Sequence, residues 1–200
     1  RINNIVDQRN MRSAFFKFFK IIIMATCEMT SGFNDRTCTN GKGGIKSVLM
    51  FPVANWSSST IASNEITALT VSGETFHFKL KSNLSSYTAP CVRNEENGTL
   101  YYEHSLSIVL NADTKTLRST IHALAQNELA CMVEKADGTF VMLGFNEGLK
   151  VSDGNEYTSG VNKADRNGHV LVLSGMENDE VPDVDSTLAG TLIAQSSYAS

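Results

Sequence analysis

The stretch ETFHFKLKS, residues 74–82, puts Phe76, Phe78 and Leu80 on one side of an extended chain and His77, Lys79 and Lys81 on the other. Successive side chains of a strand point to opposite faces, so this alternation specifies a half-buried β-strand and does not fit a helical stripe. Such a strand needs partners in its own sheet and a second layer to cover its apolar side. IKSVLMFP (45–52), EITALTVSG (65–73, with Ile66, Ala68 and Thr70 sharing a face) and the long TLYYEHSLSIVL (99–110) read as further strands. LACMVEK (129–135) and TFVMLGF (139–145) flank Ala-Asp-Gly, which is hairpin turn chemistry. EGLKVS (147–152) and HVLVLSGM (169–176) follow, and residues 84–93 carry a weaker strand pattern ahead of the turn NEENG (94–98).

One segment has helical spacing. In ADTKTLRSTIHALAQNE (112–128), Leu117, Ile121 and Leu124 recur at i, i+4 and i+7, with Asn111 or Asp113 available as the N-cap. Its opposite face is polar, so it is expected to lie over a sheet with one stripe down. The expected class is mainly β: a β-sandwich or β-barrel of about 8–9 strands with one packed α-helix at about 112–128. NWSSSTIASN (55–64) and DGNEYTSGVNKADRNG (153–168) read as polar loops.

Charge divides the chain unevenly. Residues 1–23 hold Arg1, Arg9, Arg12, Lys17 and Lys20 against Asp7, whereas the rest has twelve basic and twenty acidic residues. An acidic body is a poor tight binder of nucleic acid, because that affinity comes largely from Lys and Arg displacing counterions. In the leader, Lys17 and Lys20 break AFFKFFKIII into pieces too short for a secretory signal, whose apolar region runs to roughly 7–15 residues. It also falls well short of the roughly 20 apolar residues of a transmembrane helix. Its Phe, Lys, Ile and Asn are what AT-rich non-coding DNA translates into, so residues 1–23 are expected to be a non-native upstream leader and Met24 the first residue. A lipoprotein acylated on Cys27 and an amphipathic surface arm are the alternatives. The expected organisation is completed by a polar N-terminal arm (24–44), a β-rich domain (45–176) and an acidic, then polar, C-terminal arm (177–200) that gains order only against a neighbour.

Signals for chemistry are sparse. The four cysteines, Cys27, Cys38, Cys91 and Cys131, contain no CxxC or CxxH spacing. Cys131 reads as a small buried hydrophobe, and Cys27 and Cys38 could pair across a short loop. DRNG (165–168), set on a calcium-loop template, would need acidic residues where Lys163 and Ser174 stand; RNEENG (93–98) fails likewise at Arg93 and His104. Both read as turns. His77, His104, His122 and His169 are scattered without ligand spacing, no GxSxG frame is present, and a Cys91–His104 dyad is a remote option. Trp56 reads as a loop anchor or subunit contact ahead of a binding aromatic. The sequence therefore nominates no catalytic, cofactor-binding or metal-binding residue, and an enzyme is not expected.

The order of the second half is distinctive: TLYYEHSLSIVL, a single helix, then DGTFVMLGFNEGL, a TSG…ADRNG loop and a strand ending LSGME, with GGIKSVLMFPVANW earlier. Over about residues 38–177 it resembles the tail-tube-type virion proteins of tailed phages infecting Bacteroidetes-like bacteria. His169 departs from that pattern, where an aromatic is usual, as does Phe140-Val141, where an aromatic pair is. The resemblance implies subunits that form rings, typically hexameric, stacked into a tube through which DNA passes without tight binding. It implies self-association and other virion proteins as partners, no cofactor, no membrane, and assembly in the bacterial host cytoplasm. The alternative is a secreted or lipidated β-sandwich that binds carbohydrate or protein at the cell surface through Trp56, Tyr101 and Tyr102.

Overall fold

A computed structural model describes residues 42–81 and 84–198. The leader, most of the N-terminal arm and the Cys27–Cys38 pairing lie outside the described residues. The rest is a sandwich of two open sheets with no closed barrel. The larger sheet has eight strands in the order β14-β4-β1-β8-β9-β13-β3-β2, where β1 is Ile45–Pro52, β2 Trp56–Ala62, β3 Glu65–Val71, β4 Phe76–Lys79, β8 Leu129–Lys135, β9 Phe140–Leu143, β13 Asp183–Val184 and β14 Ser197–Tyr198. The smaller is built on β7 (Thr99–Leu110) and β12 (Gly168–Glu177), which pair antiparallel from Tyr102↔Glu177 to Leu110↔His169. Four short strands flank that pair: β5 (Ser86–Thr88), β6 (Cys91–Asn94), β10 (Lys150–Val151) and β11 (Glu156–Thr158).

The core lies between the sheets. Val48 and Met50 of β1, Cys131 and Val133 of β8 and Leu143 of β9 face Leu106 and Ile108 of β7 and Leu171 and Leu173 of β12. Helix α1 (Lys115–Ala125) closes one side with Leu117 and Leu124 buried and Ile121 partly so, which is the stripe read from the sequence. Its cap is Thr114, whose hydroxyl accepts from Leu117 N at 3.1 Å, and not Asn111 or Asp113. Asp113 is drawn instead into an ion pair with Arg118. Each side chain buried here contributes about 1.5–3 kcal/mol against its exposed state.

A second cluster covers the other face of the larger sheet. Leu49, Phe51, Ala130, Met132 and Met142 form one apolar cluster with Ile66 and Leu69 of β3 and Val184 of β13 in the same sheet, and with Ala189 and Leu192 of α2 (Ser186–Gln195). This corrects the C-terminal arm: residues 177–198 end one strand, add β13 to the sheet, form α2 and pair β14 with β4. The reading failed because STLAGTLIAQ has small residues where a larger apolar stripe would announce a helix, and small residues are what close packing on a sheet requires. Asp185 caps α2, accepting from Thr187 N at 2.8 Å and Leu188 N at 3.0 Å.

Three further expectations are corrected. Residues 56–62, read as loop, form β2, because an edge strand with one sheet neighbour tolerates a mostly solvent-facing Ser/Thr run. The face shared by Ile66, Ala68 and Thr70 does not exist: the pairing runs Thr60↔Ala68 and then Ile61↔Ile66, so Thr67 is an extra residue in β3. The bulge flips the alternation and buries Ile66 with Leu69. His77, assigned to the polar face of β4, is buried, because it stands opposite Leu49 on the face of the larger sheet that the second cluster occupies. The loop 153–168 also carries β11.

Candidate functional site

The residues singled out by sequence do not converge. Cys131 is fully buried and its thiol is pushed well above the ordinary value by desolvation, so it is inert. Cys91, exposed on β6, stands opposite Tyr102 in the ladder and not opposite His104, which is buried. Trp56 is half-buried, its ring 4.3 Å from that of Phe145, which makes it a packing anchor for the start of β2. Both supposed calcium loops are turns built on one side-chain acceptor. Asp165 accepts from Val161 N at 2.9 Å and Asn162 N at 2.7 Å, and Asn94 from Glu96 N at 3.0 Å and Asn97 N at 3.2 Å.

Two polar clusters were not anticipated. The first gathers at Asp113, just ahead of α1. Arg118 donates to it in bidentate fashion at 2.6 and 2.8 Å, Tyr157 Oη donates at 3.1 Å, and His169 Nε2 lies 3.5 Å away. The β11–β12 register sets Tyr157 opposite His169, their rings 4.9 Å apart. Chemically this is a tie and not a catalytic group. Arg118 holds the Asp113 carboxyl below its ordinary range and so removes its basicity, while the same carboxylate raises Tyr157. The tie joins the start of α1 to the hairpin arm carrying β11.

The second cluster lies at the far end of the same sheet, in a cleft of about 290 Å³ bordered by His104, Phe145, Asn146, Glu177 and Asp179. The Glu177 carboxylate is buried and accepts from three successive backbone N–H groups, Asn146 (3.2 Å), Glu147 (3.0 Å) and Gly148 (3.3 Å). Desolvation raises its pKa, and the three N–H groups partly oppose that. Next to it, buried His104 accepts from Gly144 N through Nδ1 at 3.3 Å, and burial lowers its pKa, so the ring is neutral. Together they fix the turn 144–148 that joins β9 to β10. The signal was available: β12 alternates Leu171, Leu173, Gly175 and Glu177 on its inner face, so a carboxylate stands in register with core leucines. Among the described residues no group of His, Cys, Asp and Glu has the geometry of a metal site, and no helix is long and apolar enough to cross a membrane.

What remains as functional surface is the set of open sheet edges and exposed apolar side chains. β2 closes the eight-stranded sheet, and Ile61, Leu100, Tyr157, Val161 and Met176 are each at least half exposed or nearly so. Comparisons with protein-family models, with curated proteins and with solved structures found no match.

Proposed function

We propose that this chain is a structural subunit that assembles with copies of itself, of the tail-tube type of tailed-phage virions, forming rings that stack into a conduit for DNA. The observation that carries the reading is the edge strand β2. Its seven residues, WSSSTIA, contain no charged residue and no proline, and among the described residues β3 is its only sheet neighbour. Proteins that stay monomeric usually blunt such an edge with Lys, Pro or a covering element; here a bulge at Ser57 is the sole device on the strand itself. A ring built by edge pairing uses an edge of this kind. The acidic body supports a lining over which phosphate slides without being held. The rival reading, a surface-binding sandwich, draws less support because Trp56, its leading contact aromatic, is packed on Phe145.

The test is negative-stain electron microscopy with light scattering on the full chain over a wide concentration range. Rings or stacked tubes are expected. A monomer at every concentration would refute self-assembly and turn attention to the surface-binding alternative.

A further inference from the structure

The two turns that fail as calcium loops, NEENG and DRNG, each end in Asn-Gly. In Asn97–Gly98 and Asn167–Gly168 the glycine main-chain nitrogen is the nearest nucleophile to the carboxamide carbon of the asparagine before it, and attack closes a succinimide ring. Whether the ring closes depends on how freely that peptide can turn, and glycine, with no Cβ, hinders the turn least. Asn40–Gly41 lies outside the described residues.

The two sites differ in that freedom. Residues 94–98 are all exposed. Their turn is held by the Asn94 side chain, which accepts from Glu96 N and Asn97 N, and among the described residues the Gly98 N–H joins none of the turn's hydrogen bonds. Gly98 has a φ of +64°, and a Cβ added there would meet nothing within 4 Å. At the second site the asparagine is exposed but the nucleophile is not. Gly168 is buried, opens β12 opposite Thr158, and has the Leu110 carbonyl oxygen 1.9 Å from where a Cβ would stand. Its peptide cannot turn toward the Asn167 side chain without parting β12 from β7.

We propose that Asn97 is a site of spontaneous, one-way deamidation in the folded chain and that the fold protects Asn167. The Gly98 nitrogen gives up its proton and bonds to Cγ of Asn97; the Cγ–Nδ2 bond breaks, and Nδ2 leaves as ammonia with that proton. Water, the sole co-reactant, then opens the succinimide at either carbonyl, leaving aspartate or isoaspartate at position 97. Nothing is oxidised or reduced. Both products set a new carboxylate beside Glu95 and Glu96, and isoaspartate also adds a methylene to the main chain inside the turn whose ends pair Asn94 with Thr99. The hairpin of β6 and β7 is thereby loosened at its tip. The proposal needs the exposure of this turn and is independent of the self-assembly reading.

Peptide mapping by mass spectrometry tests it on the full chain, incubated at mildly alkaline pH both folded and in denaturant. In the folded chain, conversion at position 97 is expected to outrun that at position 167 by at least about tenfold, because the latter waits for β12 to open locally. In denaturant, where neither turn survives, that gap should close. Asn97→Gln should abolish the fast conversion and leave the rate at position 167 unchanged. Equal rates at the two positions of the folded chain would overturn the proposal, as would a folded chain that stays intact at position 97 while the denatured chain converts there. A gap that persisted in denaturant would assign the difference to flanking sequence and overturn the protection ascribed to the fold.

Discussion

The two sheets use the same strand geometry under opposite conditions. Strands β1, β8 and β9 of the larger sheet bury apolar side chains on both faces, against the smaller sheet and α1 on one side and in the second cluster, which includes Ala189 and Leu192 of α2, on the other. Strands β7 and β12 of the smaller sheet bury one face and leave Ser105, Ser107 and Val109 on the other half-exposed. The sequences differ in part: VLMF, LACMV and FVML are unbroken apolar runs, whereas SLSI of β7 alternates; β12 alternates in burial alone, its VLVL being apolar throughout. A two-faced strand carries the stability of two interfaces, and a one-faced strand leaves its outer positions free to vary.

Equivalent outward positions should therefore respond very differently, which gives the largest expected effect. Met132 on β8 points away from the inter-sheet core yet is 2% exposed, buried beneath the second cluster. Met132→Ala should lower stability by about 2–5 kcal/mol. Ser107 on β7 also points away from the core, and Ser107→Ala should stay within about 0.5 kcal/mol. Denaturant melts of the pair decide it; similar midpoints would mean that the second cluster contributes little.

The next test reaches the one-faced sheet at Gly168, the tighter of two crowded glycines on β12. A Cβ placed on Gly168 would lie 1.9 Å from the carbonyl oxygen of Leu110, where β12 begins against the end of β7. Gly168→Ala should cost about 1–3 kcal/mol as the strands separate to relieve the overlap. A thermal melt measures it, and a neutral result would show that this corner yields without strain.

This contrast also explains how much of the fold could be read in advance. Where burial imposes a period, the elements were legible: β1, β7, β8 and the stripe of α1 all lie where alternation or helical spacing put them. Where tertiary contacts decide, they were not. β2 looks like a loop until β3 is beside it, the Thr67 bulge leaves no mark in the pattern, and α2 has too little apolar bulk to stand out. His77 reads as solvent-facing because nothing local predicts that a second apolar cluster occupies that face of the sheet. The candidate surfaces were less legible still. The open edge of β2 depends on which strand ends the sheet, a matter of topology and not a property of any segment.

A smaller effect compares the two helices, one on each side of the larger sheet. Thr114→Ala removes the side-chain acceptor for Leu117 N at the start of α1 and should cost about 1 kcal/mol. Hydrogen exchange should locate the loss in the first turn of α1 and leave α2 protected, since Asp185 caps α2 independently. Loosening of both helices together would mean that their packing is coupled through the sheet.

The smallest effect separates two titratable groups that share one cleft. Burial raises the pKa of Glu177 above its ordinary 4.5, so between the unfolded and folded values the folded state holds the proton more firmly. Its contribution to stability is fully present below the unfolded value and declines as pH rises through the folded one. Burial lowers His104 below its ordinary 6.5, so on acidification the unfolded chain takes up that proton first and stability declines as pH falls below 6.5. The variants should then diverge in opposite directions. Glu177→Gln should gain on the wild type as pH rises from 4.5, and His104→Asn should gain as pH falls from 6.5, followed by melts at intervals across that range. If the two variants instead ran parallel to the wild type, the turn 144–148 would be held by packing, and the carboxylate and imidazole would be passengers in a cleft shaped by Phe145 and Pro182.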